Sequence, residues 1–281
     1  MRIEFVQVSK TFDGGRNGRP RVQALMPLDL VIEEGEFFSI IGPSGCGKST
    51  LLNILAGLEK PDTGHVTVDG VRVTRPAPER AVVFQEAGLM PWMTVTANIE
   101  YGLKLQGVPR AERRERALRF LKMVHLSRYA EALPHQLSGG MRQRVSIARA
   151  LALEPRVLLM DEPFSALDAQ TRDVLHDELQ RIWQETGTTI VFVTHNIREA
   201  VYLSDRILIM TASPGRIKRI STVPFAHPRK KSSTELSAYA AMLHDQIKEE
   251  VDKVAAAELD PDWEKHPAPI PAPTFGTGEG I

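Results

Sequence analysis

Apolar and polar residues fall into two kinds of run along this chain. Short, nearly unbroken apolar runs occur at Glu36-Phe37-Phe38-Ser39-Ile40-Ile41, Ala81-Val82-Val83-Phe84-Gln85, Val157-Leu158-Leu159-Met160 and Thr188 to Thr194. They predict strands buried on both faces, as in a parallel sheet. Other stretches repeat at helical spacing: Leu51, Leu52, Ile54, Leu55 and Leu58, and later Val174, Leu175, Leu179, Ile182 and Trp183. Each predicts a helix with one apolar face. Residues 2–8 and 22–32 alternate and predict strands separated by a Gly/Arg/Asn loop at 13–21. His65 to Val73 predicts a hairpin turning on Asp69-Gly70. These pieces predict an antiparallel sheet beside an α/β core.

The next stretches are less regular. Residues 86–101 read as irregular around Pro91-Trp92-Met93, and 102–133 as helical, with the charge run Arg110 to Arg119 a solvated face. A helix at 196–204, a strand at 206–211 and a last short strand after Ser213-Pro214-Gly215 complete the core. From Pro224 the composition shifts. Ser232-Ser233-Thr234-Glu235 predicts a capping box. Leu236, Leu243, Ile247 and Val251 then predict a helix over about 233–258, packed on the core or on a partner. The Pro/Gly-rich stretch after Asp260 predicts a disordered tail.

The stretch Gly42-Pro43-Ser44-Gly45-Cys46-Gly47-Lys48-Ser49-Thr50 fits Gly-x-x-x-x-Gly-Lys-[Ser/Thr] and lies between a predicted strand and a predicted helix. Its glycines let consecutive backbone N–H groups face phosphate oxygens, and the helix start adds a positive dipole end. Lys48 supplies charge to the β- and γ-phosphates, and the Ser49 hydroxyl is a ligand for Mg²⁺. The other apolar strands also end on polar groups, where parallel sheets deliver functional side chains. Gln85 ends one strand. Asp161 and Glu162 end another and suit metal binding and the polarising of an attacking water. His195 ends a third and reads as a γ-phosphate sensor. Leu137-Ser138-Gly139-Gly140-Met141 feeds a second helix start and is a second candidate phosphate site. Phe12, just after the first strand, is placed either to stack on a purine or to pack ordinarily.

Composition narrows the picture. The 281 residues carry 35 basic and 35 acidic side chains. Bulk charge therefore gives no reason to expect nucleic acid or an anionic membrane surface as partner. No apolar run approaches the ~20 residues of a membrane span, and Met1 to Phe5 has no secretory apolar region. The single cysteine, Cys46, has no intrachain partner, which points to a reducing cytosol. It reads as a small residue filling a tight loop.

The ordered set of Gly42 to Thr50, Gln85, Leu137 to Met141, Val157 to Glu162, Ser165 to Asp168 and His195 resembles the ATP-binding subunit of ABC transporters, over about residues 3–223. The resemblance implies a P-loop α/β core with a mainly parallel sheet, an N-terminal antiparallel β-subdomain and an inserted helical subdomain. The corresponding division is 1–223 for the ATPase domain with 86–155 inserted, 224–260 for a helical extension and 261–281 for the tail. It implies ATP and Mg²⁺ as ligands, with Phe12 on adenine, Ser49, Gln85 and Asp161 at the metal, Glu162 as general base and His195 as the γ-phosphate switch. Ser138, Gly139 and Gly140 become a signature closing over the ATP of a second, identical subunit, and Asp168 part of the loop communicating across that dimer. Implied partners are a transmembrane permease and, indirectly, a periplasmic-type solute-binding protein, with this chain peripheral on the cytoplasmic side of the inner membrane. Met141 replaces the glutamine commonest in the signature. With Pro91-Trp92 and Ser213-Pro214-Gly215-Arg216, it resembles the branch importing nitrate, sulfonates, taurine and bicarbonate. An importer of another solute, or a soluble ABC-type ATPase, remains an alternative at this point.

Overall fold

In a computed structural model of the chain, residues 1–13, 21–165 and 167–258 are described. The expected loop at 13–21 and the tail after Asp260 therefore lie largely or wholly outside the described residues. The alternating segments form β1 (Ile3–Phe12) and β2 (Val22–Ile32). With β4 (Thr63–Val68) and β5 (Val71–Arg72) they make an antiparallel sheet in the order β2-β1-β4-β5. The β4–β5 turn has Asp69 at φ 50° and Gly70 at φ 73°, the two positive values that a two-residue hairpin turn matching strand twist requires.

The unbroken apolar runs become β3 (Phe37–Ile41), β6 (Arg80–Val83), β7 (Val157–Asp161) and β8 (Thr189–Val193). Joined by β9 (Arg206–Met210) and β10 (Ile217–Thr222), they form a sheet in the order β10-β9-β3-β8-β7-β6. Five strands are parallel, and β10 runs antiparallel to β9 at the edge. All of β3 and β8 is buried because both sheet faces are covered. Against one face lie α1 (Lys48–Ala56) and the antiparallel sheet, sharing a core through Leu51, Leu52, Ile54 and Leu55. Against the other lie α2 (Val95–Leu105), α3 (Arg110–Met123), α4 (Gly139–Leu151), α5 (Ala169–Thr186), α6 (Ile197–Leu203) and α7 (Thr234–Glu258).

Several expectations are corrected. Residues 86–101 are not irregular throughout: α2 begins at Val95, capped by the Thr94 hydroxyl accepting from the Ala97 N–H at 3.2 Å. The helix expected over 102–133 is broken after Leu105. Gly107 takes φ 79°, and Pro109, which has no N–H to continue a helix, stands just before α3. Val174 is not on the buried face of α5: it is 55% exposed, while Leu175, Leu179 and Ile182 are buried. The cap of α7 is Ser233 rather than Ser232, its hydroxyl accepting from the Leu236 N–H at 3.2 Å and donating to Glu235 at 2.6 Å. Helix α7 packs on the core through Leu236, Ala240, Leu243 and Ile247, and Val251 stays exposed. Buried Glu250 fastens α7 to the β9–β10 turn, accepting from the Ala212 N–H at 3.0 Å and pairing with Lys218 at 3.0 Å. Burial pushes its carboxyl up, but bonds from Lys253, the Ala212 N–H and Lys218 hold it down at about 2.

Candidate active site

Four of the predicted groups stand at the C-terminal ends of parallel strands: the glycine loop after β3, Gln85 two residues beyond β6, Asp161 and Glu162 at β7, and His195 beyond β8. The sheet order brings β3, β8, β7 and β6 side by side, so these ends form one continuous rim.

The glycine loop has little freedom to be anything else. Gly47, the residue before α1, sits at φ 92°, and a Cβ there would lie 2.6 Å from Leu25 Cδ2 and 2.8 Å from the Ala24 carbonyl. No side chain caps α1, and no acidic residue lies in its first turn. Among the described residues, the backbone N–H groups of Ser49 and Thr50 find no acceptor. A helix start with unpaired donors favours an anion, so the loop fits a phosphate group. Lys48 is buried and folds across its own loop, its Nζ donating to the carbonyls of Gly42 at 3.0 Å and Pro43 at 2.9 Å. Pro43 and Cys46 are buried, whereas Ser44 and Gly45 face outward. Burial pushes the Cys46 thiol up, which suits a filler rather than a nucleophile. Gly215 props the loop from below: its backbone pairs with Ala24 and Met26, and a Cβ there would meet the Cys46 carbonyl at 2.1 Å.

The metal fit rests on oxygen donors. Ser49 Oγ donates to Asp161 Oδ1 at 3.0 Å. Burial raises the Asp161 carboxyl, and the neighbouring Glu162 charge adds to this, against the Ser49 bond and the Lys48 charge. A hydroxyl beside a half-buried carboxylate is the sparse, hard-oxygen set that Mg²⁺ takes. Gln85 is exposed at the neighbouring strand end, and its amide bonds to nothing among the described residues.

Glu162 is held in an uncommon backbone conformation, φ 45°, with its N–H donating to the Val193 carbonyl at 2.9 Å. Non-glycine residues in that region concentrate at functional sites. The turn aims the carboxylate at His195, whose Nδ1 stands 3.0 Å from Glu162 Oε2, with the imidazole 63% and the carboxylate 23% exposed. The pair can accept a proton and relay its position to a ligand at the rim.

Ser138 lies on the surface as the cap of α4, its hydroxyl accepting from the Met141 N–H at 3.2 Å. Gly139 is exposed, whereas Gly140 is packed: a Cβ there would meet Thr171 Cγ2 at 2.7 Å. Asp168 caps α5, accepting from the Thr171 N–H at 2.9 Å, a bond that holds its carboxyl low. Phe12 closes β1, 40% exposed, with Lys10 Nζ 5.2 Å from its ring centroid.

A sequence profile of the ABC transporter family matches residues 25–165. An uncharacterised ABC transporter ATP-binding protein of Methanocaldococcus jannaschii is 49% identical over 253 residues, 90% of this chain and 94% of that protein. The chain belongs to the ABC transporter ATP-binding family. It is an ATP-hydrolysing, nucleotide-binding subunit. The nitrate import ATP-binding protein NrtD of Synechocystis is 48% identical over 223 residues, 79% of this chain and 83% of its own. The aliphatic sulfonates import ATP-binding protein SsuB of Bacillus cereus is 44% identical over 233 residues, 83% and 90% of the two chains. Among solved structures, a dimeric post-hydrolysis ATP-binding cassette bound to ADP and Pi superposes with a TM-score of 0.68 at 38% identity, over 80% of this chain and all of that one.

Sequence reasoning missed what holds the ABC subunit's histidine in place. Glu199 is buried, accepts from Thr194 Oγ1, and lies 2.5 Å from His176 Nε2. Thr194 Oγ1 in turn accepts from the Asn196 N–H at 3.0 Å, and Asn196 caps α6 by accepting from the Glu199 N–H at 3.3 Å. His195 is thus fixed from both sides. The Asn196-x-x-Glu199 spacing, a capping-box pattern, is the signal that could have found it. Asn98 was missed as well: its buried amide accepts from the Met90 N–H and donates to the carbonyls of Met90, Met93 and Thr94, shaping the turn that presents Trp92.

Proposed function

We propose that this subunit powers import of a small anion such as nitrate, a sulfonate, taurine or bicarbonate, as the peripheral cytoplasmic partner of a transmembrane permease. The observation that carries the reading is the similarity, over most of the chain, to relatives named for nitrate and sulfonate import. No helix among the described residues is long and apolar enough to cross a membrane, so a separate subunit would form the pathway. In this reading residues 1–223 work as the ATPase unit, with 86–155 as its inserted helical part and 224–260 as an extension.

The backbone of Gly42 to Thr50 holds the phosphates, and Lys48 exchanges its two carbonyl partners for β- and γ-phosphate oxygens. Ser49, Asp161 and Gln85 are the residues that would hold Mg²⁺, which when bound neutralises phosphate charge. Glu162 takes a proton from water as the water oxygen bonds to the γ-phosphorus and the bond to the β-phosphate oxygen breaks. His195 orients the Glu162 carboxylate and reaches the γ-phosphate. Phe12 covers the adenine. Ser138, Gly139 and Gly140 contact the ATP of a second copy, so contacts made only in the closed dimer favour closure. Asp168 lies beside that contact. The permease docks over Gln85 to Asn98, where Trp92, 75% exposed, is the aromatic anchor type of interface hot spots.

The test is affinity capture of the tagged chain from detergent-solubilised native membranes. Recovery of a polytopic subunit, reduced by Trp92→Ala, supports the reading, and a co-recovered binding protein is then titrated with nitrate, sulfonates, taurine and bicarbonate. Capture of soluble proteins or nucleic acid only would overturn it in favour of a soluble ABC-type ATPase.

A further inference from the structure

Helix α4 carries two interior polar side chains that the chemistry above does not use. Gln143 is buried, and its Nε2 donates to the Phe84 carbonyl at 3.1 Å. Arg149, near the other end of the helix, donates from Nη1 to the Gly88 carbonyl at 2.7 Å and from Nη2 to the Ala87 carbonyl at 2.9 Å. Its remaining bond is to Ser146 Oγ at 3.4 Å, and among the described residues it forms no ion pair. Burial with no carboxylate near pulls its guanidinium pKa down. A half-buried cation without a counter-ion is costly, and here it is offset mainly by the carbonyls of one short segment. Gly88 takes φ 52° at that contact.

These bonds bracket Gln85. Phe84 precedes it and Ala87-Gly88 follow it, so α4 grips the chain on both sides while the Gln85 side chain stays exposed. The same helix begins at Ser138, about 16 Å from Arg149 at 1.5 Å rise per residue. A rigid helix therefore ties the strand-end glutamine to the serine that faces outward.

We propose that Gln143 and Arg149 are positioning residues that clamp the Gln85 segment to α4, so that Gln85 and Ser138 move as one body when the dimer closes. The inference rests on the metal-end role of Gln85 given above. Only Gln85 touches ligand; the clamp acts through it. An arginine suits the task because its planar, rigid fork holds two carbonyls in a fixed geometry, whereas a lysine ammonium is a compact point charge on a flexible stem.

The test uses the full chain with its captured permease, measuring steady-state ATPase, nucleotide affinity with a fluorescent ATP analogue, and half-saturating Mg²⁺. Arg149→Met should lower kcat by up to about 10²-fold, the scale of a misplaced catalytic group, and raise the Mg²⁺ requirement, with nucleotide affinity unchanged within about twofold. Arg149→Lys should recover part of the loss. Gln143→Leu, which removes one bond at similar volume, should cost about threefold, in line with one neutral hydrogen bond. The deciding comparison is the double variant: Gln85→Ala/Arg149→Met should be no slower than Gln85→Ala alone. Full additivity, unchanged kcat in Arg149→Met, or a parallel fall in kcat, affinity and thermal stability in both Arg149→Met and Gln143→Leu would overturn the clamp. Unchanged kcat in Gln85→Ala would instead remove Gln85 from its role, and the clamp's purpose with it.

Discussion

Two glycine-rich turns start helices in this protein, and they are built differently. At α1 the residue before the helix is Gly47 in a left-handed conformation, no side chain caps the first turn, and the loop is wedged between β3 and the antiparallel sheet. At α4 the cap is Ser138, which already satisfies one N–H of its own helix, and the turn lies on the surface. The first start leaves donors for a ligand on its own chain and places Lys48, Ser49 and Asp161 around it. The second has Arg142 beside it, tied to the Leu137 carbonyl at 2.6 Å, and faces outward. Under the proposed function, the first turn would hold the phosphates of its own nucleotide and the exposed second start would reach the nucleotide of a second copy.

The contrast can be tested in order of expected effect. Glu162→Gln should slow ATP turnover by about 10²–10⁴-fold, the value of a positioned base, while ATP still binds at α1 and an ATP-dependent dimer accumulates in sedimentation. Wild-type turnover would take Glu162 out of the chemistry. Gly47→Ala adds a Cβ against Leu25 and the Ala24 carbonyl at φ 92°, and should weaken ATP binding by about 5–150-fold, for ~1–3 kcal/mol of local strain. Gly139→Ala meets only Arg142 Nη2, at 4.0 Å, and should leave monomer affinity unchanged. Equal losses at the two glycines would erase the distinction between the turns.

Ser138→Ala should cost ~1 kcal/mol of stability through the lost cap. In the Glu162→Gln background it should reduce the dimer fraction without changing ATP affinity per monomer; a normal dimer would return Ser138 to a purely local capping role. Asp161→Asn should be the gentlest change to the fold. Because burial raises the Asp161 carboxyl in the folded state, its ionised form penalises the ligand-free protein above the raised pKa. The penalty fades as pH falls through that value. The asparagine variant should therefore melt higher than wild type at neutral pH, by about 2–4 °C per kcal/mol relieved. The gap should narrow on acidification, and Mg²⁺-dependent turnover should be lost. A lower melting temperature at neutral pH would show the carboxylate to be stabilising.

Much of this was legible because the motifs are local. The runs that form β3 and β8 are buried on both faces, so their apolar pattern does not depend on neighbours. The strand-loop-helix order at Gly42 to Thr50 and the cap at Ser138 are likewise decided within a few residues. Misreadings came where local pattern was weak or ambiguous. The α2 start depends on a single threonine cap beside a proline-tryptophan turn. The break after Leu105 follows from Gly107 and Pro109, whose conformations interrupt an otherwise helical pattern. Val174 has the right spacing for the core, but α5 rotates it to solvent.

By itself the sequence determined the α/β class, the strand-loop-helix order at Gly42 to Thr50 and the polar residues at the strand ends, since these follow from short-range periodicity, backbone conformation and side-chain chemistry. The tertiary structure decided which strand ends are neighbours. It alone brought Ser49 to Asp161 across 112 positions, turned Glu162 onto His195, and placed Gly215 beneath the loop it supports. It alone showed Gln143 and Arg149 gripping the chain on either side of Gln85. Those relations depend on sheet order and on contacts between distant segments, and no local pattern encodes them.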